Sequence, residues 1–245
     1  MINKNFKKMI RKSLVTLLIL SAGICLGQST IIITEGSTWK YLDDGSDQGT
    51  SWYLLNYDDT PWNEGASEFG YGDNDESTVV SFGLDASNKH LTTYFRKSFN
   101  IENPNLYNDL TLEAIRDDGI VVYLNGTKVW QDNMPDNFNY QTTATRGIGG
   151  DDETEWISKV IDNNLVEGVN SIAVEIHQSS SSSSDMSFDF KLTGGVNDAP
   201  VAQNMSVNVV VNSSVDFNLS AVDEDGDEVS FSVGTAENGL TSIYG

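Results

Sequence analysis

Few residue patterns in this chain of 245 residues suggest acid–base chemistry, although it has 36 acidic residues. It contains two histidines, His90 and His177, and one pair of adjacent acids, Asp117 and Asp118, stands before an apolar run. A metalloenzyme usually needs a cluster of His and carboxylate ligands, and adjacent acids before Gly119 are typical of a turn rather than of a glycosidase pair. We therefore predict that the chain is not an enzyme. We expect His177 on the outward face of a strand, as a polar surface residue or as a side chain that supports a loop.

Aromatic side chains supply the candidate ligand site, because concave sugar sites often place Trp and Tyr rings beside polar groups. Four rings are candidates for stacking on a sugar: Trp52, Trp62, Tyr71 and Trp130. Packing in the core, or in a cover over a sheet, is the alternative role for each of them, and the sequence leaves it open. Carbohydrate, such as a surface polysaccharide, is the predicted partner.

An acidic turn near the C-terminal end of the sequence has the composition of a metal site. Asp223, Asp225 and Asp227 alternate with Glu224 and Gly226 between two predicted strands. Ca²⁺ takes about six to eight oxygen ligands, and alternate carboxylates on a tight loop supply several of them. A structural Ca²⁺ ion is the predicted cofactor, with a solvated acidic turn as the alternative.

Three segments alternate apolar and polar residues at period two, the pattern of strands with one buried face. The predicted buried residues are Leu110, Leu112 and Ala114; Ile172, Val174 and Ile176; and Met186, Phe188, Phe190 and Leu192. Long helical periodicity is absent, so the sequence predicts an all-β protein. The size of the segment and the number of strands favour a jelly-roll β-sandwich with no α-helix longer than about two turns.

The dipeptide Asn125-Gly126 between two apolar runs predicts a β-hairpin with a type I′ turn. A regular two-residue loop then sets three cross-strand pairs: Val122 with Val129, Val121 with Trp130, and Tyr123 with Lys128. The preceding stretch 43–78 is rich in Gly, Asp, Asn and aromatic residues. A loop with so many aromatic residues must pack against something, so we predict an ordered cover on the sandwich.

Residues 1–27 have the composition of a secretory signal peptide, with five basic residues ahead of the apolar run Leu14–Leu20. The run is too short to span a membrane, and cleavage is predicted after Gly27. The alternative, a lipoprotein anchored through Cys25, is disfavoured because Ile24 rather than a small residue precedes it. We therefore expect a secreted or cell-surface protein. The net charge of the whole chain, −22, disfavours nucleic-acid binding.

The mature chain divides by composition into two β-rich segments. Residues 28–194 form the first, 195–200 form a linker, and 201–245 form the second. Three short strands are predicted in the second segment: Val207–Val211, Val215–Leu219 and Val229–Val233. A complete Ig-like sandwich needs roughly twice as many residues as this segment has, so we expect a longer parent protein with further domains downstream.

Five motifs follow one another through the first segment: YDDTPWNEGASEFGYGD (Tyr57–Asp73), YFRKSF (Tyr94–Phe99), DDGIVVYLNGTKV (Asp117–Val129), DNMP (Asp132–Pro135), and GVNSIAVEIHQ with SSDMSFDFKL (both within Gly168–Leu192). In this order they resemble the galactose-binding-like β-sandwich that accompanies other domains in large secreted bacterial proteins. The YLNG hairpin is also similar to the sugar-binding domain of β-galactosidase-like hydrolases. The resemblance implies a binding or supporting role, since such modules have no settled catalytic activity.

The second segment resembles the start of a cadherin-like, Ig-fold tandem repeat of bacterial adhesins through NDAPVA (Asn197–Ala202) and VDEDGDEVSFSV (Val222–Val233). In those repeats, the acids of both motifs bind Ca²⁺ at the junction between modules. The resemblance implies that Asn197, Asp198, Asp223 and Asp225 do so here, and Asp227 completes the predicted set. The segment departs from true cadherins in that their other acidic motifs are not visible in it.

Three functions compete at this stage. The favoured one is a non-catalytic binding or adhesion module that recognises carbohydrate at the cell surface or in the matrix. The alternative is the N-terminal accessory region of a larger secreted hydrolase or metallophosphoesterase, and a structural spacer is the third. The coding sequence downstream distinguishes the first two, because a catalytic domain there supports the accessory region and further NDAP repeats support adhesion.

Overall fold

The computed structural model describes residues 29–196, 200–203, 213, 215–223 and 229–231. The predicted signal peptide lies outside these residues. The chain divides between Asn197 and Asp198 into two compact units, which are described separately below.

Twelve strands build the first unit. They are β1 (Ser29–Ile33), β2 (Thr38–Leu42), β3 (Asn63–Ala66), β4 (Phe69–Tyr71), β5 (Thr78–Val79), β6 (Thr92–Ile101), β7 (Tyr107–Arg116), β8 (Gly119–Leu124), β9 (Thr127–Asp132), β10 (Ile157–Asp162), β11 (Gly168–His177) and β12 (Met186–Val196). The helical segments among the described residues are two short 3₁₀ turns, Pro104–Leu106 and Gly150–Glu153. The expected all-β composition is confirmed.

The strands form two six-stranded sheets that pack face to face. The first sheet has the order β10-β7-β12-β4-β5, with β1 also paired to β12, and the second has the order β3-β2-β6-β11-β8-β9. Rings from both sheets meet in the core between them: the centroid of Phe188 lies 5.5 Å from Trp39 and 4.4 Å from Phe95. The predicted β-sandwich is therefore confirmed, and hydrophobic burial between its sheets is the main stabilising term.

The period-two alternation correctly predicts which residues enter this core. Leu110, Leu112 and Ala114 of β7 are fully buried, as are Phe188, Phe190 and Leu192 of β12 and the predicted apolar residues of β11. Successive side chains of a strand point to opposite faces, so one apolar residue in two is enough to fill the space between the sheets.

The β8–β9 hairpin has the predicted turn but not the whole predicted register. Asn125 and Gly126 have positive φ, 51° and 88°, as a type I′ turn requires. Tyr123 pairs with Lys128 as predicted, but a β-bulge follows. Because the bulge adds one residue to β9, Val122 pairs with Trp130 and Val121 with Gln131, so the two other predicted pairs are wrong.

The stretch 43–78 is ordered, as predicted, but part of it also belongs to the sheets. Strand β3 extends the second sheet beside β2, while β4 and β5 extend the first sheet beside β12. Phe69 and Tyr71 of β4 are buried in the core between the sheets, whereas the part before β3 covers the outer face of the second sheet.

In the second unit, Val201–Ala202 (β13) pairs antiparallel with Ala221–Val222 (β14). The strand predicted at Val215–Leu219 is wrong, since these residues form no strand and remain exposed. Val207–Val211 lies outside the described residues. Residues 229–231 of the third predicted strand are not in a strand, and the rest of it is likewise outside the described part of the chain.

Candidate functional site

The outer face of the second sheet carries a layer of aromatic side chains that we call the cover cluster. Its buried members are Trp52, Trp62, Tyr94, Val121, Tyr123, Met134, Ala144 and Ala173. The ring centroid of Trp52 lies 4.8 Å from that of Tyr94 and 5.6 Å from that of Tyr123. Edge-to-face contacts at these distances fix the rings against one another, so the cover has a defined shape.

Arg96 fastens the loop of the cover to the sheet. Its side chain is only 1% exposed, and its Nε donates to Asp59 Oδ2 at 2.9 Å. A second guanidinium nitrogen donates to the Trp52 carbonyl oxygen, and the guanidinium carbon lies 5.3 Å from the ring centroid of Tyr57. These contacts explain why Arg96 interrupts the in–out pattern of β6: it points away from the core, but the loop buries it.

Four aromatic residues on the cover cluster keep part of their surface in solvent: Tyr53, Tyr57, Phe138 and Tyr140. The ring of Tyr53 lies parallel to that of Tyr123, with 4.2 Å between centroids and 4° between planes. The hydroxyl of Tyr57 donates to Gln48 Oε1 at 3.2 Å. Partly exposed rings held on a rigid base are suited to stacking on the apolar face of a sugar.

The structure does not bring the four predicted sugar-binding rings together. Trp52 and Trp62 lie in the cover cluster, and Tyr71 and Trp130 lie in the core between the sheets. All four are between 2% and 8% exposed, which matches their alternative role in packing. Trp130 also lines a surface depression of about 250 Å³, below the usual size of a ligand pocket. Sugar contact by these four rings stays a prediction.

The partly exposed rings are the residues that sequence reasoning missed. Tyr53 and Tyr57 stand beside the chosen tryptophans, and residue type alone does not distinguish a buried ring from an accessible one. Phe138 and Tyr140 lie in the polar loop after β9, about 80 residues from Tyr57, and only tertiary packing brings them to the same face.

Of the two roles expected for His177, the surface role is wrong and the loop-supporting role is confirmed. The residue points to the outer face of β11, as the alternation indicates, but it is completely buried beneath the cover. Its Nδ1 lies 2.8 Å from the Thr142 carbonyl oxygen, and its Nε2 lies 3.2 Å from Glu175 Oε2. Glu175 Oε1 accepts a hydrogen bond from the Tyr123 hydroxyl at 2.8 Å, and the pKa of that phenol is raised by burial and by the Glu175 charge. This buried network lies between the second sheet and the cover.

Asp117 and Asp118 are also buried, each 1% exposed. Asp118 accepts backbone N–H bonds from Ile148 and Ser179, both at 2.6 Å, and so ties two loops to the start of β8, the kind of role the sequence suggested for this turn. Apart from Asp118, no described residue forms a hydrogen bond with the Asp117 carboxyl group. Burial, the hydrogen bond with the Asp118 side chain, and the charges of Asp118, Asp185 and Glu153 raise the pKa of Asp117 to about 9.

The predicted junctional Ca²⁺ site falls largely outside the described residues, which include Asp223 but not Asn197, Asp198, Asp225 or Asp227. Asp223 follows directly after β14 and is half-buried. Ca²⁺ binding by this set stays a prediction.

Comparison with known proteins gives structural neighbours but no family. No family model matches the sequence, and no curated protein matches it. A β-glucuronidase from glycoside hydrolase family 2 is 16% identical, with 70% of this chain and 18% of that chain covered and a TM-score of 0.44. A β-glycosidase from Bacteroides vulgatus is 18% identical, with 71% and 21% covered and a TM-score of 0.41.

A β-glucuronidase from an uncultured Clostridium species is 10% identical, with 78% of this chain and 33% of that chain covered and a TM-score of 0.42. The chain thus spans between about a fifth and a third of the length of these enzymes. Among the described residues, no helix is long and apolar enough to cross a membrane.

Proposed function

We propose that residues 28–194 form a non-catalytic module of a secreted or cell-surface protein and bind carbohydrate through the partly exposed rings of the cover. The observation that supports this most is the arrangement of Tyr53, Tyr57, Phe138 and Tyr140 on a buried aromatic layer. A ring that is already fixed loses little conformational freedom when a sugar stacks on it, so more of the contact energy remains for binding.

Polar groups at the edge of this face are suited to sugar hydroxyls. The Gln48 side chain meets the Tyr57 hydroxyl at 3.2 Å, and its amide nitrogen donates to the exposed Ser46 hydroxyl at 2.7 Å. Beside Tyr140, Asn139 and Thr142 form a hydrogen-bonded turn. A sugar site typically combines such donors and acceptors with one or two apolar ring faces.

A binding role also suits the burial of three acids, Asp117, Asp118 and Glu175. Hydrolysis of a glycosidic bond would instead require two carboxyl groups that reach the substrate. The adjacent pair Asp117 and Asp118 is buried, and Asp118 is engaged with backbone N–H groups. Glu175 lies beneath the cover beside Tyr123.

A glycan array probed with the full chain tests the proposal, followed by calorimetry on the glycans that bind. Tyr53→Ala and Tyr140→Ala are expected to weaken binding by on the order of tenfold each, the loss of about 1.4 kcal/mol of stacking. Trp156→Ala is the matched control, because this half-exposed ring lies beside Lys191 of β12, in the other sheet.

Two results would contradict the proposal. One is the absence of binding to every glycan at millimolar concentration. The other is binding that the Trp156 variant weakens and the two tyrosine variants leave unchanged, which would place the site on the first sheet. Circular dichroism of each variant separates loss of binding from loss of fold.

A further inference from the structure

A small depression of about 250 Å³ lies along one side of the sandwich, at the border of both sheets. Its lining residues are Lys128, Val129, Trp130 and Gln131 of β9 and Lys159 of β10. Strand β9 is an edge strand of the second sheet, and β10 is an edge strand of the first. The depression is therefore built by two edge strands that come from different sheets.

Two of the lining side chains lie on the inner faces of the sheets. Trp130 pairs with Val122 and belongs to the core, with 8% of its surface exposed. Lys159 pairs with the core residue Leu112, so its side chain is on the same side of the first sheet. An indole ring and an ammonium group thus line the same depression, which gives it an apolar surface beside a positive charge.

The second lysine of the depression, Lys128, is held in position by Gln131. The amide nitrogen of Gln131 donates to the carbonyl oxygens of Met134 and Pro135, at 3.0 and 3.3 Å. The amide oxygen is then the atom that accepts, and Lys128 Nζ donates to it at 2.7 Å. An ammonium group can donate through each of its N–H bonds, and Gln131 takes only one of them. The others remain for a ligand, from a position that is already set.

Lys128 also connects the depression to the cover. Its Nζ lies 5.4 Å from the ring centroid of Phe138, one of the partly exposed rings. In the β8–β9 hairpin it pairs with Tyr123, on which the ring of Tyr53 stacks. The depression and the proposed carbohydrate face are therefore neighbours, and a sugar chain stacked on these rings reaches Lys128 with a substituent.

The two lysines stand out in a chain whose net charge is −22. Four other basic residues pair with acids: Lys40, Arg96, Arg116 and Lys191. Lys128 instead meets a neutral amide, and the ammonium group of Lys159 has no hydrogen bond or ion pair with a described residue. None of the acids in the described part of the chain lines the depression. Charges more than about 8 Å apart are largely screened at physiological ionic strength, so these lysines make the depression locally attractive to an anion.

We propose that the ligand of the cover is an acidic glycan, and that a carboxylate or sulfate group on one of its sugar residues binds in the depression, against Lys128, Lys159 and Trp130. This inference rests on the proposed carbohydrate-binding role and specifies its substrate class. The depression is smaller than the usual pocket for a whole ligand, but it suits one charged substituent of a longer chain. Hydrogen bonds from an ammonium group to an anion are stronger than those between neutral groups, so they favour the acidic sugar over its neutral counterpart.

The test compares pairs of glycans that differ only in charge. Oligogalacturonate and oligomannuronate are set against their methyl esters, and sulfated galactan against desulfated galactan, on an array that also carries neutral glycans. The full chain is applied to the array, and calorimetry then gives Kd for the glycans that bind. In the carboxylate pairs, the sulfate pair or both, the acidic member should bind about fivefold or more tightly than the neutral one, and its Kd should rise with NaCl concentration. The two kinds of pair distinguish a uronate ligand from a sulfated one.

Lys128→Gln and Lys159→Gln should each weaken binding of the acidic glycan by about threefold to fivefold and leave the Kd of its neutral partner within about twofold of wild type. The corresponding arginine variants keep the charge and should keep the preference. Lys40→Gln is the matched control, because it removes the same charge from β2, four strands away from β9 in the second sheet, a distance of about 19 Å. A charge on an edge strand also opposes pairing with another chain, so size-exclusion chromatography checks the oligomeric state of each variant.

The possible outcomes separate this inference from the proposed function. Neutral glycans that bind as tightly as their acidic partners, or neutral glycans alone on the array, overturn the inference and leave the carbohydrate-binding role standing. The inference is also overturned if both glutamine variants keep the preference for the acidic glycan, or if Lys40→Gln loses it to the same extent. If no glycan binds at millimolar concentration, the proposed function and the inference fail together.

Discussion

Replacing Arg96 with methionine should loosen the cover while leaving the sandwich folded. Methionine keeps an apolar stem of similar length and removes the guanidinium group. The substitution therefore removes the bond to Asp59, the bond to the Trp52 carbonyl oxygen, and the contact with the Tyr57 ring. The core between the sheets is untouched, because Arg96 points to the outer face of β6.

The expected cost follows from these contacts. A hydrogen bond from a charged group contributes roughly 1.5–3 kcal/mol, and a buried carbonyl left without a donor costs about 1–3 kcal/mol. Asp59 is 21% exposed and regains water, so the loss of its ion pair adds little. We expect the free energy of unfolding to fall by about 3 kcal/mol, which corresponds to a decrease in melting temperature of roughly 6–12 °C for a unit of this size.

Urea denaturation followed by tryptophan fluorescence measures the effect, since Trp52 and Trp62 lie in the cover. Limited proteolysis should cut within residues 43–62 faster in the variant, because local opening of a loop precedes global unfolding. Lys97→Met is the control: this neighbouring cation of β6 donates to the Thr38 carbonyl oxygen at a partly exposed position. Equal losses of stability in the two variants, or unchanged proteolysis of Arg96→Met, would refute the role of Arg96 as the anchor of the cover.

Three further predictions concern single residues. Phe188→Ala removes a ring buried between the sheets and should lower the free energy of unfolding, measured by urea denaturation, by about 3–5 kcal/mol. Leu84→Ala, at an exposed position, is the control. A loss of stability no greater than that of the control would argue against the place of Phe188 in the core. Gly126→Val forces a β-branched residue into positive φ and should lower the melting temperature, whereas parental stability would contradict the turn assignment. In the presence of a chelator, the stability of wild type relative to Asp117→Asn should be greatest below about pH 4 and decrease as the pH rises towards 9, because the folded-state pKa of Asp117 is raised to about 9 from 3.8. Denaturation midpoints of both proteins across this pH range measure the difference. Parallel pH profiles of the two proteins would count against the raised pKa.

The sequence by itself determined the strands that line the core and the turn of the central hairpin. Alternation at Leu110–Ala114 and Met186–Leu192 is a local consequence of strand geometry and one buried face, so it can be read without a structure. Asn125-Gly126 likewise reports a local backbone requirement. The register beyond that turn could not be read, because the bulge in β9 depends on how the hairpin packs in its sheet.

Only the tertiary structure decided which polar and aromatic residues are buried. Glu175 and His177 point outward, as the alternation along β11 indicates, and Arg96 also lies on the outer face of the second sheet, but loops from other parts of the chain cover all three. For the same reason, the sequence could not show that the four candidate rings are almost fully buried, or that partly exposed rings from segments about 80 residues apart pack on one cluster. Asp73, Glu153 and Asp185 are far apart in the sequence, and only the tertiary structure brings one carboxylate oxygen of each within 4.8 Å of the others, since the spatial proximity of distant residues is fixed by topology and not by local composition.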